Sequence, residues 1–415
     1  MQPSKTTKPP LTPTLPTMSS CPRFQIKMLN SLPYALLQVA LIFPALASPT
    51  SDQESPSDHN DLEHYENTIF IPFLYSFTSL NTPIISGDIA GTSFEFPVDT
   101  GSTGLLISAS KLPKDYTSKG EPGYQYLDST NILYVGRYVD TAVTFYGKKP
   151  EEAVARLPIL VVDESWYCPE YSVGKDKFKC PNMKAEKKKV DDICHLGVGF
   201  GRGTAPKYNP FLNVKVLNGN DVTKEDFRTG YYIGADGIYL GLTDKNTYTA
   251  AWVGLDASHS GDEYDWDLVK TSFTVDSAGP YNGHLLIDTS IAEMLLQNLP
   301  SGSVPNTTVE HPDHRQEKIK VVKPGTKLKF GFPSLEEDNV SGYGFTVGDK
   351  KFPSQPYFVQ AVDGGHGPFV NTGRKFLWGF SIAFDAVSGK LGLICVTCEK
   401  EEKEHESDYD GEWAR

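Results

Sequence analysis

The sequence predicts an all-β protein that is large enough for two lobes. Short apolar runs alternate with clusters of Gly, Pro, Asn and Asp along most of the chain, which is the pattern of short strands joined by turns. Helical periodicity is scarce. The chain has 415 residues, 39% of them hydrophobic, with 36 Gly and 30 Pro. This composition is typical of a globular protein with many turns, and the length suits two β-lobes.

The predicted strands follow one another in a regular order. Each is a short apolar run bounded by turn residues, and the runs are Ile84-Ile85, Phe94 to Asp99, Leu105 to Ile107, Val143 to Phe145, Ile159 to Val162 and Tyr231 to Ile233. One stretch departs from this pattern, since Ile291, Met294, Leu295 and Asn298 share a helical stripe. We expect that stripe to pack in the core.

The formal net charge of the chain is -13 at pH 7. Such an acidic balance argues against a surface that binds nucleic acid or anionic lipid headgroups. It suits a protein that stays soluble in mildly acidic surroundings. We therefore expect no nucleic-acid partner.

The start of the chain has the layout of a secretory signal. Lys27 precedes an apolar stretch over residues 36–43, and Ala45-Leu46-Ala47 then places small residues before a cleavage point. The sequence predicts a signal peptide over residues 1–47. A membrane anchor is the weaker alternative because the apolar run is short, and no later segment is apolar enough to span a bilayer. We expect a secreted, extracellular protein that is free of the membrane once the signal is removed.

The segments next to the body of the chain are polar. Residues 48–66 are acidic and have few apolar groups to bury, so we expect a flexible leader or a propeptide remnant, with the ordered body beginning near Thr68. The densely charged segment 399–415 is expected to be a solvated tail. Acceptor motifs for N-glycosylation at Asn306 and Asn339 predict exposed loops of a secreted chain.

Five cysteines remain once the signal is removed, and in an oxidising compartment thiols normally pair. They are Cys168, Cys180, Cys194, Cys395 and Cys398. We expect a disulfide among the first three, and either a local bridge or a redox pair at the last two, although pairing cannot be deduced from sequence. No second close pair completes a tetrahedral set, so no metal site is predicted.

Two aspartates each follow an apolar strand. Asp99-Thr100-Gly101-Ser102 comes directly after Phe94 to Val98, and Asp288-Thr289 comes after His284 to Ile287. A fold that joins the two strand ends would place paired carboxylates at one point, where like charges cannot both ionise cheaply. One carboxyl would then act as an acid and the other as a base. A single Asp-Thr-Gly is more often an ordinary turn, so the pair carries the prediction.

These two segments resemble the catalytic loops of the pepsin-like aspartic peptidases. Val98 to Thr103 is similar to the first loop and Leu286 to Thr289 to the second, and the separation of the aspartates, 288 − 99 = 189 residues, is typical of that family. Further similar segments occur in the family's order at Leu196 to Phe200, Trp266 to Leu268, Ser272 to Asp276, Ala383 to Asp385 and Gly389 to Leu393.

The resemblance implies a bilobal pepsin-like acid protease fold, with two pseudo-twofold-related β-lobes over residues 67–230 and 231–398 and a central cleft. It implies a secreted aspartic endopeptidase that hydrolyses peptide bonds at acidic pH, because the Asp99 and Asp288 dyad would activate water. Asp99 would be the base and Asp288 the acid. No cofactor would be needed, and the partners of the monomer would be peptide or protein substrates. The residues that support the catalytic loops would be Thr100, Gly101, Ser102, Thr289 and Ser290.

The chain departs from the family pattern around the second aspartate. Ser290 stands where the family has Gly, and Ile291 stands where a hydroxyl residue would donate to Asp288. We expect one side-chain hydrogen bond to be lost there unless the Ser290 hydroxyl turns inward. The segment Val370 to Gly373, which should cross behind Asp288, is polar where the family is apolar, so that support is also expected to differ.

The flap that covers substrate in the family differs as well. Leu106 occupies the position of a Trp that holds the flap Tyr, and the region Ser129 to Phe145 is too short for the full hairpin. Tyr134 or Tyr138 is the candidate for the flap Tyr. An ordinary strand aromatic is the alternative for each of them.

Two other functions remain open at this point. One is a catalytically weak or inactive pepsin-fold protein that binds peptides, inhibitors or cell-wall components through the same cleft. The other is a different all-β binding module, which would leave Asp99 and Asp288 far apart. The distance between the two loops separates this last alternative from the first two.

Overall fold

The computed structural model of the chain describes residues 61–76, 81–181, 185–311, 318–336, 338–363 and 367–396. The predicted signal peptide, most of the acidic leader, Cys398 and the charged tail lie outside these residues. Within them the chain forms 25 strands and two one-turn α-helices. The all-β prediction is confirmed.

The strands of the first part of the chain are β1 (Ile69–Pro72), β2 (Ile84–Ile89), β3 (Thr92–Asp99), β4 (Thr103–Ser108), β5 (Glu121–Leu127), β6 (Ile132–Tyr146), β7 (Glu152–Tyr167), β8 (Glu186–Lys188), β9 (Cys194–Val198), β10 (Val214–Leu217), β11 (Asn220–Asp221), β12 (Arg228–Ile233), β13 (Gly237–Leu242) and β14 (Ala251–Gly254). The later strands are β15 (Val269–Val275), β16 (Ala278–Leu286), β17 (Met294–Gln297), β18 (Asn306–Glu310), β19 (Lys318–Val322), β20 (Lys327–Phe332), β21 (Ser341–Thr346), β22 (Val359–Val362), β23 (Phe369–Asn371), β24 (Phe380–Asp385) and β25 (Lys390–Cys395).

The helical segments are short connections between these strands. The two α-helices are α1 (Lys114–Thr117) and α2 (Asp244–Thr247), and 3₁₀ turns occur at Ala109–Lys111, Asp128–Thr130, Pro206–Tyr208, Pro210–Leu212 and Arg374–Trp378. None of the helices in the described ranges is long and apolar enough to cross a membrane.

A ten-stranded sheet carries the first aspartate. Its strands pair in the order β11-β10-β7-β4-β9-β3-β2-β6-β5, with β8 beside β7. β9 lies between β3 and β4, parallel to the first and antiparallel to the second, so that Asp99 at the end of β3 pairs with Gly197. The sequence of β3 explains its position, because Phe94, Phe96 and Val98 are buried and alternate with less buried residues.

A seven-stranded sheet repeats this arrangement around the second aspartate. Its order is β21-β20-β15-β16-β23-β17-β22, and a separate hairpin pairs β18 with β19. β23 lies between β16 and β17, parallel to the first and antiparallel to the second. β17 is in turn parallel to β22, as β4 is parallel to β7. The same order of strand pairings therefore surrounds Asp99 and Asp288.

A six-stranded sheet joins distant parts of the chain in the order β1-β13-β12-β24-β25-β14. Tyr231 of β12 pairs with Phe384 of β24, so the β24–β25 hairpin shares a sheet with strands from the first part of the chain. The boundary that the sequence placed between residues 230 and 231 falls inside β12.

The prediction of a helical stripe after Asp288 is wrong. Met294–Gln297 forms β17, which is paired with β23 on one side and β22 on the other. Ile291, Met294 and Leu295 are buried, so the expected core role is right while the conformation is not. A central strand is apolar on both faces, and a run of this length does not distinguish it from a buried helix.

The packed part of the chain starts earlier than the sequence indicated. Leu62, inside the expected leader, is buried in an apolar cluster with Leu242. The Asp61 carboxylate lies 2.8 Å from a nitrogen of Arg228. The ordered body therefore begins before Thr68, because the last residues of the acidic segment have both an apolar and a charged partner.

Cys168 and Cys180 form a disulfide, which confirms the bridge expected among the first three cysteines. The bridge lies just after β7, where the rings of Tyr126 and Tyr171 stack with their centroids 4.3 Å apart. No cysteine within the described ranges is free.

Candidate active site

The loops of the two predicted aspartates lie against each other in the interior. Asp99 is 7% exposed and Asp288 is 6% exposed. Gly101 lies between them, since its N–H donates to Asp99 Oδ1 at 2.6 Å and a Cβ placed on it would lie 2.5 Å from Asp288 Oδ2. Both carboxyl groups therefore meet the Gly101 backbone, at a position where a larger residue would collide with Asp288.

Reciprocal hydrogen bonds join the two loops. The Thr100 N–H donates to Thr289 Oγ1 and the Thr289 N–H donates to Thr100 Oγ1, each at 3.0 Å. The Thr100 hydroxyl donates to the Ile287 carbonyl at 2.5 Å, and the Thr289 hydroxyl donates to the Val98 carbonyl at 2.7 Å. Each hydroxyl thus uses both its donor and its acceptor across the junction, which fixes the relative position of the loops.

Asp99 is held through both of its oxygens. Oδ1 accepts from the Gly101 N–H, and Oδ2 accepts from the Ser102 hydroxyl at 2.6 Å. The Ser102 Oγ also lies 2.6 Å from His195 Nε2, and the same ring nitrogen lies 3.4 Å from Asp99 Oδ2. An ionisable ring therefore borders the first carboxylate.

Asp288 accepts three hydrogen bonds. Oδ1 accepts from the Ser290 N–H at 2.8 Å and from the Ser290 hydroxyl at 2.6 Å. Oδ2 accepts from the Asn371 side-chain amide at 2.8 Å. The expected loss of a side-chain hydrogen bond therefore does not occur, through the exception that was left open for Ser290. The Ser290 hydroxyl turns inward, and the polar residue of the crossing strand supplies a second donor.

The orientation of the Asn371 amide follows from its other hydrogen bond. Its Oδ1 accepts from the Gly373 N–H at 3.0 Å, which directs the Nδ2 group to Asp288. Gly373 has φ of 66°, and a Cβ there would lie 2.2 Å from the Glu293 carbonyl oxygen. The chain therefore turns at a glycine two residues after the donor, just beyond the end of β23.

His195 and Asn371 occupy equivalent positions in the two sheets. His195 pairs with Leu106 and Asn371 pairs with Leu295. These partners lie equally far beyond the two aspartates, because 106 − 99 = 7 and 295 − 288 = 7. Each crossing strand thus presents one polar side chain to the carboxylate of its own sheet, an imidazole in one case and an amide in the other.

Burial and charge set the proton affinity of Asp288. Burial raises the pKa of Asp288, and the charge of Asp99 raises it further, while the hydrogen bonds from Ser290 and Asn371 act in the opposite direction. The net direction is upward. Asp288 is consequently suited to hold a proton at a pH where an ordinary carboxyl group has lost it.

A buried arginine is hydrogen-bonded to the backbone of the second aspartate loop. Arg374 is 5% exposed, and its guanidinium donates to the carbonyls of Ile291, at 3.1 Å, and of Ser290. Burial lowers the pKa of Arg374, and the nearby carboxylates of Asp288, Glu293 and Asp99 raise it. Because a guanidinium stays protonated in proteins, this side chain brings a positive charge close to the two carboxyl groups.

The β5–β6 hairpin contacts the first loop. It extends from Glu121 to Tyr146, and therefore begins before the region Ser129 to Phe145 in which the sequence placed a shortened flap. The Gln125 side chain donates to the Thr103 carbonyl at 3.0 Å. The hairpin is thus hydrogen-bonded to Thr103, next to Ser102, through the amide of Gln125 and not through a Tyr.

The two tyrosines suggested for the flap lie elsewhere on this hairpin. Tyr134 is 4% exposed and packs with Leu106 and Leu160, and burial raises its pKa to about 12. Tyr138 is half-buried, and its hydroxyl donates to the Tyr124 carbonyl at 3.3 Å. Burial also raises the pKa of Tyr138 to about 12. Tyr134 thus packs on the underlying strands, and Tyr138 bonds within the hairpin.

The remaining predicted sites lie on the surface. Asn306 on β18 and Asn339 before β21 are both exposed, and their glycosylation stays a prediction. Over the described part of the chain, no group of three or more His, Cys, Asp or Glu residues is arranged to hold a metal ion.

Sequence reasoning did not identify the roles of four residues of the site, His195, Asn371, Arg374 and Gln125, although it expected the segment Val370 to Gly373 to cross behind Asp288. A signal was present for the first two, because each is a polar residue in a short strand that is expected to cross behind an aspartate. Arg374 directly follows the glycine of one such strand. Gln125 carries no comparable signal, since a lone Gln in a strand is an ordinary surface residue.

No family model matches the chain, and no curated protein matches it. Function is therefore inferred from the site itself.

Proposed function

We propose that this chain is a divergent pepsin-like aspartic endopeptidase that hydrolyses peptide bonds at acidic pH. The observation that carries the proposal is the junction at Gly101, where the loops of Asp99 and Asp288 are joined by the reciprocal bonds of Thr100 and Thr289. Two carboxyl groups that both lie against one glycine are close enough to share one proton over a range of pH. They can then act together as one base and one acid.

In the proposed mechanism Asp99 is the base. Its carboxylate takes a proton from a water held between the two carboxyl groups, and the water oxygen attacks the carbonyl carbon of the scissile bond. Asp288 gives its proton to the carbonyl oxygen, which yields a tetrahedral diol. One hydroxyl proton then returns to Asp288, the proton on Asp99 goes to the leaving nitrogen, and the C–N bond breaks. The dyad ends as it began, and no cofactor takes part.

The assignment of the two roles is supported by their surroundings. The pKa of Asp288 is raised by burial and by the neighbouring charge, which suits the acid. Asp99 accepts one hydrogen bond at each oxygen, from Gly101 and Ser102, so a carboxylate is stabilised there. Asp288 also accepts at both oxygens, so the assignment rests on the raised pKa of Asp288.

The bilobal fold belongs to the same proposal, with lobes over residues 67–230 and 231–398. The recurrence of one order of strand pairings around Asp99 and Asp288 supports it. An extended peptide between the lobes would lie against the β5–β6 hairpin, which is fastened at Gln125. We infer secretion from the predicted signal peptide, and the Cys168–Cys180 disulfide is consistent with an oxidising compartment.

One observation favours a second function. The Ser290 hydroxyl lies 2.6 Å from Asp288 Oδ1, at a loop position where the resembling family has no side chain. That hydroxyl competes with a water for the same oxygen. A pepsin-fold protein that binds peptides, inhibitors or cell-wall components without cutting them is therefore the alternative.

The deciding experiment is cleavage of a denatured protein between about pH 3 and 5. The variants are Asp99→Asn and Asp288→Asn, with the exposed Asp256→Asn, which pairs with Lys270, as the matched control. We expect the first two to lose activity by about 10² to 10⁴-fold and the control to keep it. Equal turnover in the wild type and both dyad variants would end the peptidase proposal. Tight binding of a peptide that carries a tetrahedral hydroxyl, without cleavage of its amide counterpart, would favour the second function.

A further inference from the structure

His195 is the one imidazole that touches the candidate dyad within the described residues. Its Nε2 lies 2.6 Å from Ser102 Oγ and 3.4 Å from Asp99 Oδ2. The ring is anchored by β9, which is paired with β3 on one side and with β4 on the other. Its side chain is only 19% exposed, so it has few alternative positions.

The direction of the hydrogen bonds follows from counting protons. Ser102 has a single hydroxyl proton, and it donates that proton to Asp99 Oδ2. The Ser102 oxygen must then accept from His195, so Nε2 carries a hydrogen in both the neutral and the charged ring. The chain of donors runs from His195 through Ser102 to Asp99. It ends on an acceptor, which favours the carboxylate form of Asp99.

The His195 ring has apolar neighbours on one side and two charged groups, one of each sign, near the dyad. Opposite His195, β4 presents the apolar Leu106, and Tyr134 of β6 lies in the same apolar cluster as Leu106. Asp99 is the carboxylate within ion-pair distance, and the positive charge of Arg374 acts on the dyad from the second loop. Burial lowers the pKa of His195 and Asp99 raises it, with a net downward direction.

The arrangement is not that of a serine nucleophile with a His base. In such a triad the carboxylate bonds the ring nitrogen that faces away from the serine. Here Ser102 and Asp99 both lie at Nε2, and Asp99 and Ser102 bond each other. The imidazole therefore acts on the carboxylate through the serine and does not activate the serine.

We propose that His195 is a positioning residue which, through Ser102, keeps Asp99 in the proton-accepting role. This inference rests on the proposed peptidase function. Its consequence is a lower acid limit for activity, because a donor chain that favours the carboxylate delays addition of a second proton to the dyad as the pH falls. Loss of the donor moves the acid limb of the kcat/KM profile to higher pH.

The test compares His195→Leu and His195→Gln in a pH profile of kcat/KM on one peptide substrate. Leu has no donor, and we expect the acid limb of the kcat/KM profile to move to higher pH by about one unit. At pH values on that limb, kcat/KM would then be about tenfold lower than in the wild type. Gln keeps an N–H donor that does not ionise, and we expect it to restore the position of the limb. Superimposable limbs in the wild type and His195→Leu would overturn the inference, since a purely structural role changes the height of the profile and not its position.

Asn371→Leu is the matched control at the equivalent position of the second sheet. This substitution removes a hydrogen-bond donor to Asp288 and leaves the donors to Asp99 in place. We therefore expect the acid limb of the kcat/KM profile to stay in place and the alkaline limb to move to higher pH. Identical shifts in His195→Leu and Asn371→Leu would contradict a separate role for His195.

A second measurement does not depend on proteolysis. NMR titration of the His195 ring in the wild type and in Asp99→Asn reports the contact directly, with the exposed His284 as an internal reference. We expect the pKa of His195 to fall in Asp99→Asn, because the carboxylate that raises it is gone. An unchanged pKa would overturn the inference whether or not peptides are cut. A fall without any peptide cleavage would support the contact while the peptidase proposal fails.

Discussion

Replacing Thr100 by Val tests the junction on which the site depends. Valine keeps the branched shape but removes one donor and one acceptor. The Ile287 carbonyl and the Thr289 N–H, which bond Thr100 Oγ1 at 2.5 and 3.0 Å, both lose this partner. Thr100 is 5% exposed and Thr289 is fully buried, so water does not readily replace the lost bonds.

The magnitude follows from two unpaired buried groups. Each costs about 1 to 3 kcal/mol, so we expect Thr100→Val to lower the free energy of unfolding by about 2 to 6 kcal/mol. Thr289→Val removes the equivalent pair and should cost a similar amount. Thr271→Val is the control, because Thr271 is also buried but its one close hydrogen bond is to the Gly331 carbonyl at 2.9 Å, with a second, longer contact of 3.5 Å to the Ser272 carbonyl. We expect it to cost about half as much.

The assay is urea unfolding followed by circular dichroism, with kcat measured on the same preparations. We expect kcat to fall in both junction variants, because the two carboxyl groups lose their fixed relation, and to be kept in Thr271→Val. A loss of stability in Thr100→Val no larger than that in Thr271→Val would refute the reciprocal bonding. The proximity of the two loops would then need another cause.

Three further outcomes are expected. Gly101→Ala should abolish hydrolysis, because its Cβ would lie 2.5 Å from Asp288 Oδ2, whereas Gly254→Ala, with open space at its Cβ, should be silent in the same peptide assay. Asp288→Asn should gain stability relative to the wild type as the pH rises from about 4 to 7. The raised pKa of Asp288 means that the protonated carboxyl stabilises the wild-type fold at low pH, and the wild type loses this stabilisation when Asp288 ionises, whereas Asn does not ionise. A difference in Tm that does not depend on pH would contradict a buried acid at this position. Removing the Cys168–Cys180 bridge, whose cysteines are 12 residues apart, should cost about 3 kcal/mol in urea unfolding and leave kcat unchanged; a loss of kcat would show that the segment between the two cysteines affects the site.

The first aspartate loop could be predicted because its signals are local. Phe94, Phe96 and Val98 alternate with less buried residues, and the turn residues follow at once, so the strand and its end are visible within ten residues. A disulfide was expected among Cys168, Cys180 and Cys194, and the structure shows that the first two, 12 residues apart, form it.

The second loop could be located but its chemistry could not. The donor on Asp288 Oδ2 comes from Asn371, 83 residues later, and it reaches the carboxylate only because β23 runs beside β16. The sequence placed Val370 to Gly373 behind Asp288, but it did not show that the Asn371 amide would donate to the carboxylate. The same limit applies to Met294–Gln297, where pairing with β22 and β23 overrode a short helical pattern.

The six-stranded sheet bears on how this protein is made. Strands β1, β12 and β13 leave the ribosome long before β24 and β25, yet β12 has β24 as its neighbour on one side. Until residues 380–395 have been synthesised, that side of β12 is an open edge that invites pairing with other chains. Such distant partners also slow folding. The nascent chain therefore has to be shielded until then, and forms that end before the β24–β25 hairpin should aggregate.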